Sequence, residues 1–211
     1  MITYQNITLE FGKKHIFHKF NLKIQRGDKI ILQGKSGTGK SSILALLLGF
    51  KQPQKGRIIF NNMTVNPQNI WAVRQQIAYV DQDVSLGDTT VQEFIQIVQA
   101  FKANQLAKFH TDQQNKLLSF FELSDDILKK SMVNISGGER QRIAFIISIL
   151  LNRSVFLLDE VTSSLDKELK NKVVDYFMGL KEQTVISISH DNLWLNHPKA
   201  KIFNMDKKQW K

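Results

Sequence analysis

The stretch Gly34-Lys35-Ser36-Gly37-Thr38-Gly39-Lys40-Ser41 sets a lysine and a hydroxyl directly behind three spaced glycines. Bare backbone at this spacing lets successive N–H groups wrap a polyphosphate, Lys40 reaches the outer two phosphates, and Ser41 offers its hydroxyl to Mg²⁺. Ser42 continues the set into the next element. Far downstream, "VFLLDE" ends an apolar run on two acids. Asp159 at the strand end is expected beside the Mg²⁺ of a nucleotide, and Glu160 is expected to take a proton from, or orient, an attacking water.

A third group, Ser136-Gly137-Gly138-Glu139, has the form of a capping box, with Ser136 as N-cap and Glu139 three residues later. The cap leaves the glycines unexplained, since two of them in a first helical turn cost about 1 kcal/mol each relative to alanine. Open backbone at a helix start suits an anion, drawn by unpaired N–H groups and the positive end of the helix dipole. One phosphate loop implies one nucleotide, already held by the helix beginning near Lys40. The second anion-seeking helix start therefore points to a phosphate held by another copy, in an isologous pair.

These residues need strands and helices to hold them. "KIILQ" (Lys29 to Gln33) before the loop and "SSILALLLGF" after it supply a strand and a helix. Strand patterns recur in "MITYQNITLEF", "FNLKI" (ending in the turn "RGD"), "RIIF", "IAYV", "VFLL", "TVISIS" and "KIFNM". The continuous apolar runs among them read as strands buried on both faces. Between about Val91 and Leu128 the pattern turns helical, opened by a Thr90 and Glu93 capping box, as an insertion in an α/β core.

The 211 residues suffice for a sizeable core, and the 42% hydrophobic content is ordinary for a soluble globular protein. The absence of cysteine excludes disulfides and thiolate metal sites. "IAFIISILL" is too short to span a bilayer and reads as a buried helix. The N-terminus lacks the basic start and apolar core of a signal peptide, so the chain is expected to stay inside the cell. The net charge of +10 is spread along the chain and reads as a solvated or membrane-facing surface rather than a nucleic-acid groove. His15, His18, His110 and His197 match no metal-ligand pattern and are expected at the surface; Trp71, Trp194 and Trp210 are expected to pack.

The phosphate loop, "ISGGE" and "FLLDE" resemble the motifs of the ATP-binding cassette family, and the likeness runs over nearly the whole chain. Further family elements follow in order: Phe11 in "EFGKK" for adenine stacking, Gln82 in "YVDQ", Asp166 in "SSLD" and the switch histidine His190 in "SISHD". Read alone, Gln82 is an ordinary loop amide and His190 a solvent-facing histidine; the order of the motifs changes both readings. The departures are Phe11 for the usual Tyr, with Tyr4 as a competing stacker, Ile135 and Glu139 for Leu and Gln, and Asp81 for Pro.

The resemblance implies an α/β fold: a P-loop NTPase core with a mainly parallel sheet, an N-terminal antiparallel β subdomain, and a helical subdomain inserted at about 83–134, in one domain over 1–211. It implies ATP and Mg²⁺ as cofactors, with Ser41, Gln82 and Asp159 at the metal. It implies catalysis by Glu160, His190, Gln82 and Lys40. Phe11, the loop from Gly34 through Ser42, Ser136, Gly137, Gly138, Glu139 and Asp166 complete the nucleotide's surroundings. It further implies a homodimer in the ATP-bound state and a separate membrane permease docking near Asp83 to Phe101, with no nucleic acid. The chain would then lie on the cytoplasmic face of the cell membrane. The strings "RQQIAYVDQ" and "LLDEVTSSLD" look most like small bacterial subunits proposed to export iron. The rival is a soluble ATPase of the same family acting on nucleic acid or ribosomes. Against it stand the short interval from Gln82 to Ser136, which leaves no room for a long coiled coil, and the lack of cysteine for a zinc module. A P-loop nucleotide kinase would have no use for Ser136 or His190.

Overall fold

The computed structural model describes residues 1–12, 14–82, 87–105, 107 and 109–211, with Lys14 known by its backbone alone. Two antiparallel strands open the chain, β1 (Ile2–Phe11) and β2 (Lys14–Ile24). After the turn at Gly27 come β3 (Lys29–Gln33), the phosphate loop and α1 (Lys40–Leu47). Next follow β4 (Lys55–Phe60), β5 (Met63–Thr64), the five-residue α2 (Ile70–Arg74) and β6 (Ile77–Val80).

A helical stretch begins with α3 (Val91–Ala100), capped by Thr90 and Glu93 as the sequence pattern anticipates. It continues through a single turn at Lys102–Asn104, α4 (Thr111–Phe120), a second turn at Asp125–Lys129, and α5 (Gly137–Leu150). The helical pattern from Val91 to Leu128 is thus split into pieces. Phe101 leaves the helix with ψ 131°, and the Asn104 side-chain amide donates to the Val98 carbonyl at 2.7 Å in place of a continuing helical bond. Of the expected docking stretch Asp83 to Phe101, residues 83–86 lie outside the described residues.

The chain closes with β7 (Val155–Asp159), α6 (Lys167–Gly179), β8 (Thr184–Ile188), α7 (Asn192–Leu195), β9 (Ala200–Asn204) and β10 (Gln209–Trp210). Two sheets result. One is four-stranded and antiparallel, in the order β2-β1-β4-β5. The other is six-stranded, in the order β10-β9-β3-β8-β7-β6, and parallel except for β10. The α/β class with a mainly parallel sheet and an N-terminal antiparallel sheet is therefore borne out.

β7 and β8 are buried at every residue, as strands covered on both faces are, and they take Asp159, Thr184 and Ser187 in with their apolar side chains. Successive residues feed opposite layers. Val155, Leu157, Ile186 and Ile188 join the core shared with α1 and the antiparallel sheet, while Phe156, Leu158 and Val185 join the core under α5 and α6. Each fully buried large apolar side chain contributes about 1.5–3 kcal/mol. Phe145, Phe156 and Phe177 add edge-on ring contacts between α5, β7 and α6.

Trp194 packs as expected and donates its Nε1–H to Thr162 Oγ1 at 3.2 Å. Trp71 corrects the packing expectation, being 68% exposed. The short α2 turns Val73 inward and leaves Trp71 on its outer side, where the Arg74 guanidinium lies 4.9 Å from the ring. Trp210 is half-exposed, edge-on to Phe203. His15, His18 and His110 are exposed, whereas His197 is partly buried and its Nδ1 accepts the Lys199 N–H at 3.2 Å.

Candidate nucleotide site

Strand order does most of the assembly. β3 runs into the phosphate loop, β6 into Gln82, β7 ends on Asp159, and β8 leads to His190. In the sheet, β3, β8, β7 and β6 lie side by side and point the same way, so all four groups emerge at the carboxyl edge. Crevices outside the carboxyl ends of parallel strands are where open α/β sheets bind ligands.

A cavity of about 450 Å³ opens there, lined by Phe11, Ile16, Lys40, Ser41, Gln82 and Glu160 together with loop residues including Ser36, Gly37, Gly39 and Ser42. The buried Lys40 ammonium donates to Gly34 O at 2.7 Å and Lys35 O at 3.1 Å, drawing the loop closed around it. Thr38 Oγ1 donates to Lys35 O at 2.9 Å. Gly39 sits at φ 98°, and a Cβ there would lie 2.5 Å from Phe17 Cζ and 2.7 Å from Ile16 Cγ2. Twist and crowding both demand glycine. As the N-cap of α1 it supplies no side-chain cap, so the first-turn N–H groups remain open to an anion.

Two contributors escape sequence reasoning. Ile16 on β2 walls the cavity, and the Asp206 carboxylate accepts the Lys35 N–H at 3.3 Å from either oxygen. Both arrive by tertiary folding and carry no local signal.

Asp159 is buried, and burial pushes its carboxyl above the ordinary carboxylate range. The nearby Ser41 hydroxyl opposes the shift. Asp81 and Glu160 reinforce it, and Lys40 pulls against it. A buried anion next to a hydroxyl is a pair of hard oxygen donors deficient in positive charge, which fits Mg²⁺. Among the described residues no group of three His, Cys, Asp or Glu side chains could hold a metal.

Glu160 stands at φ 49°, a left-handed conformation uncommon for a residue with a side chain. Its N–H donates to Ile188 O at 3.0 Å, and its carboxylate Oε1 lies 3.9 Å from His190 Nε2. Glu160 and His190 share a second, smaller cavity with Thr162, Ser163 and Asp191. Gln82 is exposed, its own N–H held by Asp81 Oδ1 at 2.8 Å.

The stacking alternatives separate cleanly. Tyr4 is fully buried and donates its hydroxyl to Ile43 O at 2.8 Å, and burial raises its pKa far above the usual phenol value. Phe11 is 42% exposed and lines the larger cavity. Only Phe11 presents a ring.

Ser136 caps α5: its Oγ accepts the Glu139 N–H at 3.2 Å, and the Glu139 carboxylate accepts the Ser136 N–H at 2.7 Å. That backbone bond, with Lys130 and Arg142 nearby, holds the Glu139 carboxyl below its ordinary range. Glu139 is thereby committed to the cap. Asp166 likewise caps α6, accepting the Glu168 and Leu169 N–H groups at 3.0 Å. Neither Asp166 nor the run from Ser136 to Glu139 lines the two cavities. The structure thus brings together Phe11, the phosphate loop, Gln82, Asp159, Glu160 and His190, and sets the Ser136 group apart.

Comparison with known proteins agrees with this geometry. Residues 17–163 match the family described as ABC transporter. The chain is 30% identical to the probable iron export ATP-binding protein FetA of Escherichia coli K12, over 98% of this chain and 89% of that one. It is 32% identical to the ATP-dependent lipid A-core flippase of Acinetobacter baylyi over 90% of its length, but spans only about a third (34%) of that relative. Among solved structures, a dimeric ATP-binding cassette in a post-hydrolysis state, bound to ADP and Pi, superposes with a TM-score of 0.82 at 22% identity. The alignment covers 97% of this chain and 94% of that one, a likeness of fold. Motif order, site geometry and family match coincide, and the chain belongs to the ABC transporter family as an ATP-binding ATPase domain.

Proposed function

We propose that this chain is the energising subunit of a bacterial transporter, closing as an ATP-bound homodimer and opening on hydrolysis to drive a separate membrane permease. The observation that carries the reading is the glycine pair at the start of α5. Neither Gly137 nor Gly138 has left-handed backbone. A Cβ added at Gly137 meets nothing within 4 Å, and at Gly138 only Ser164 O at 3.7 Å. Among the described residues nothing requires glycine there, so we assign the requirement to a second copy whose bound phosphate approaches the open N–H groups.

In this reading the phosphate loop from Gly34 to Ser42 holds the nucleotide and Phe11 stacks on its base. Ser41, Asp159 and Gln82 would hold Mg²⁺, which would supply charge neutralisation on the phosphates. Glu160 takes a proton from water as its oxygen attacks the γ-phosphorus and the bond to the β-phosphate oxygen breaks. His190, 3.9 Å from Glu160, steadies the carboxylate and the γ-phosphate. Loss of the bridging charge lets the copies part, because a ligand that favours only the closed pair shifts that equilibrium by its differential affinity.

No helix among the described residues is long and apolar enough to cross a membrane, so the reading gives the pathway to a partner. It places the chain on the cytoplasmic face through that partner, with docking near the stretch from Asp83 to Phe101. Likeness to FetA supports iron export as the cargo. The test is Glu160→Gln: the variant should lose turnover yet form a dimer in Mg·ATP that is absent without nucleotide, read by sedimentation. A variant that stays monomeric in saturating Mg·ATP, alone and with its permease, would overturn the reading. Parental turnover would remove Glu160 from its role.

A further inference from the structure

We infer that Lys51 is a positioning residue for the nucleobase, holding Phe11 as a stacking platform. The inference rests on the nucleotide-site reading above and adds a residue to it. Lys51 lies beyond the C-terminal end of α1 and far in sequence from Phe11. Its Nζ stands 4.0 Å from the centroid of the Phe11 ring, within cation–π range. Phe11 is half-exposed and borders the cavity of the phosphate loop, so a ring that carries the ammonium still presents surface to that cavity, which the inference gives to a planar ligand.

The contact is built into the backbone. Gln54 donates its own N–H to Thr8 O at 3.0 Å. Its side chain accepts the Glu10 N–H at 3.1 Å and donates to Glu10 O at 3.3 Å. The segment after α1 is thereby stitched to the end of β1 next to Phe11, which fixes where Lys51 can reach. A phenylalanine has no hydroxyl to anchor its ring, and the ammonium supplies an anchor of another kind. It also withdraws π density from the ring, which favours stacking against an electron-rich base.

The test measures equilibrium binding of ATP and of inorganic tripolyphosphate, which has no base, to the full chain in Mg²⁺ buffer. Lys51→Met, which keeps the length of the side chain without charge, should weaken ATP binding about two- to fivefold, the worth of an exposed cation–π contact. Tripolyphosphate affinity should not change. In steady-state assays KM should rise with kcat unchanged, and Lys51→Arg should restore the parental KM. Lys51→Met in a Phe11→Ala background should add no further loss.

Parental ATP affinity in Lys51→Met, alongside weakened binding in Phe11→Ala, would overturn the role of Lys51 and leave the site intact. Equal weakening of ATP and tripolyphosphate would also overturn it, by showing a general charge effect. Unaltered binding of both ligands in Lys40→Ala would instead bring down the nucleotide-site reading, and the inference with it.

Discussion

Glu160 Oε1 and His190 Nε2 stand 3.9 Å apart, on turns that follow two adjacent parallel strands. The β7–β8 register pairs Asp159 with Ile188, so the residue after one strand and the second residue after the other come to the same edge. A carboxylate and an imidazole so placed act on the same water and phosphate only if both hold position. His190→Ala should therefore lower kcat by about 10²-fold or more, the usual worth of a positioned acid–base group. ATP affinity should stay within about twofold, since the proposed reading gives binding to the loop around Lys40. Steady-state turnover and equilibrium binding on the same preparation check both halves, and an unaltered kcat would detach His190 from the chemistry.

The glycine pair of α5 allows fold and function to be separated. Gly137 occupies the first helical position after Ser136, with open space where a Cβ would stand. Gly137→Ala should leave the folded chain intact and stabilise it by up to about 0.4–1 kcal/mol, by restricting the unfolded chain. The same methyl should obstruct a partner's phosphate and abolish ATP-driven dimerisation. Thermal denaturation and sedimentation in Mg·ATP read the two effects. Retained dimerisation together with parental turnover would show that the bare backbone is not needed there.

Asp159 gives a pH dependence whose sign follows from burial. Its carboxyl titrates above the unfolded value in the nucleotide-free chain, so the folded state binds the proton more tightly than the unfolded state. The resulting stabilisation is fully present below the unfolded pKa and is lost as pH rises through the raised folded value. As pH rises above the unfolded value, burial makes the Asp159 carboxyl a net cost, which Asp159→Asn removes. The variant should match the parent's stability in acid, exceed it at neutral pH, and lose the extra stabilisation that Mg·ATP gives the parent. Denaturation midpoints across this pH range check the sign, and a variant less stable than the parent at neutral pH would refute the burial argument.

The elements that carry the chemistry were legible because their signals are local. β3 and β6 fall on the apolar runs "KIILQ" and "IAYV", and the caps at Thr90 and Ser136 form as their spacing dictates. Illegible parts depend on contacts distant in sequence. Ile16, Asp206 and Lys51 reach the site only because β2, the end of β9 and the segment after α1 converge there. Trp71 misled because residue type alone suggested packing, whereas the five-residue α2 has one inward position and Val73 takes it.

The choice between Tyr4 and Phe11 was hidden by an irregular strand. Ile2 and Tyr4 face inward, Asn6 takes a left-handed turn at φ 51°, Ile7 and Leu9 then face inward, and a further register shift between Leu9 and Glu10 precedes the exposed Phe11, so no single alternation runs along β1. The two rings should consequently fail in opposite ways when altered. Tyr4→Phe removes the hydroxyl that donates to Ile43 O at 2.8 Å and should cost about 1 kcal/mol of stability, with ATP affinity unchanged. Phe11→Ala exposes no core and should leave stability within about 0.5 kcal/mol. It should weaken ATP binding by about 1–3 kcal/mol, the range for a base stacked on an aromatic ring. Denaturant titrations and ATP binding on both variants decide the matter, and an affinity loss confined to Tyr4→Phe would reverse the assignment.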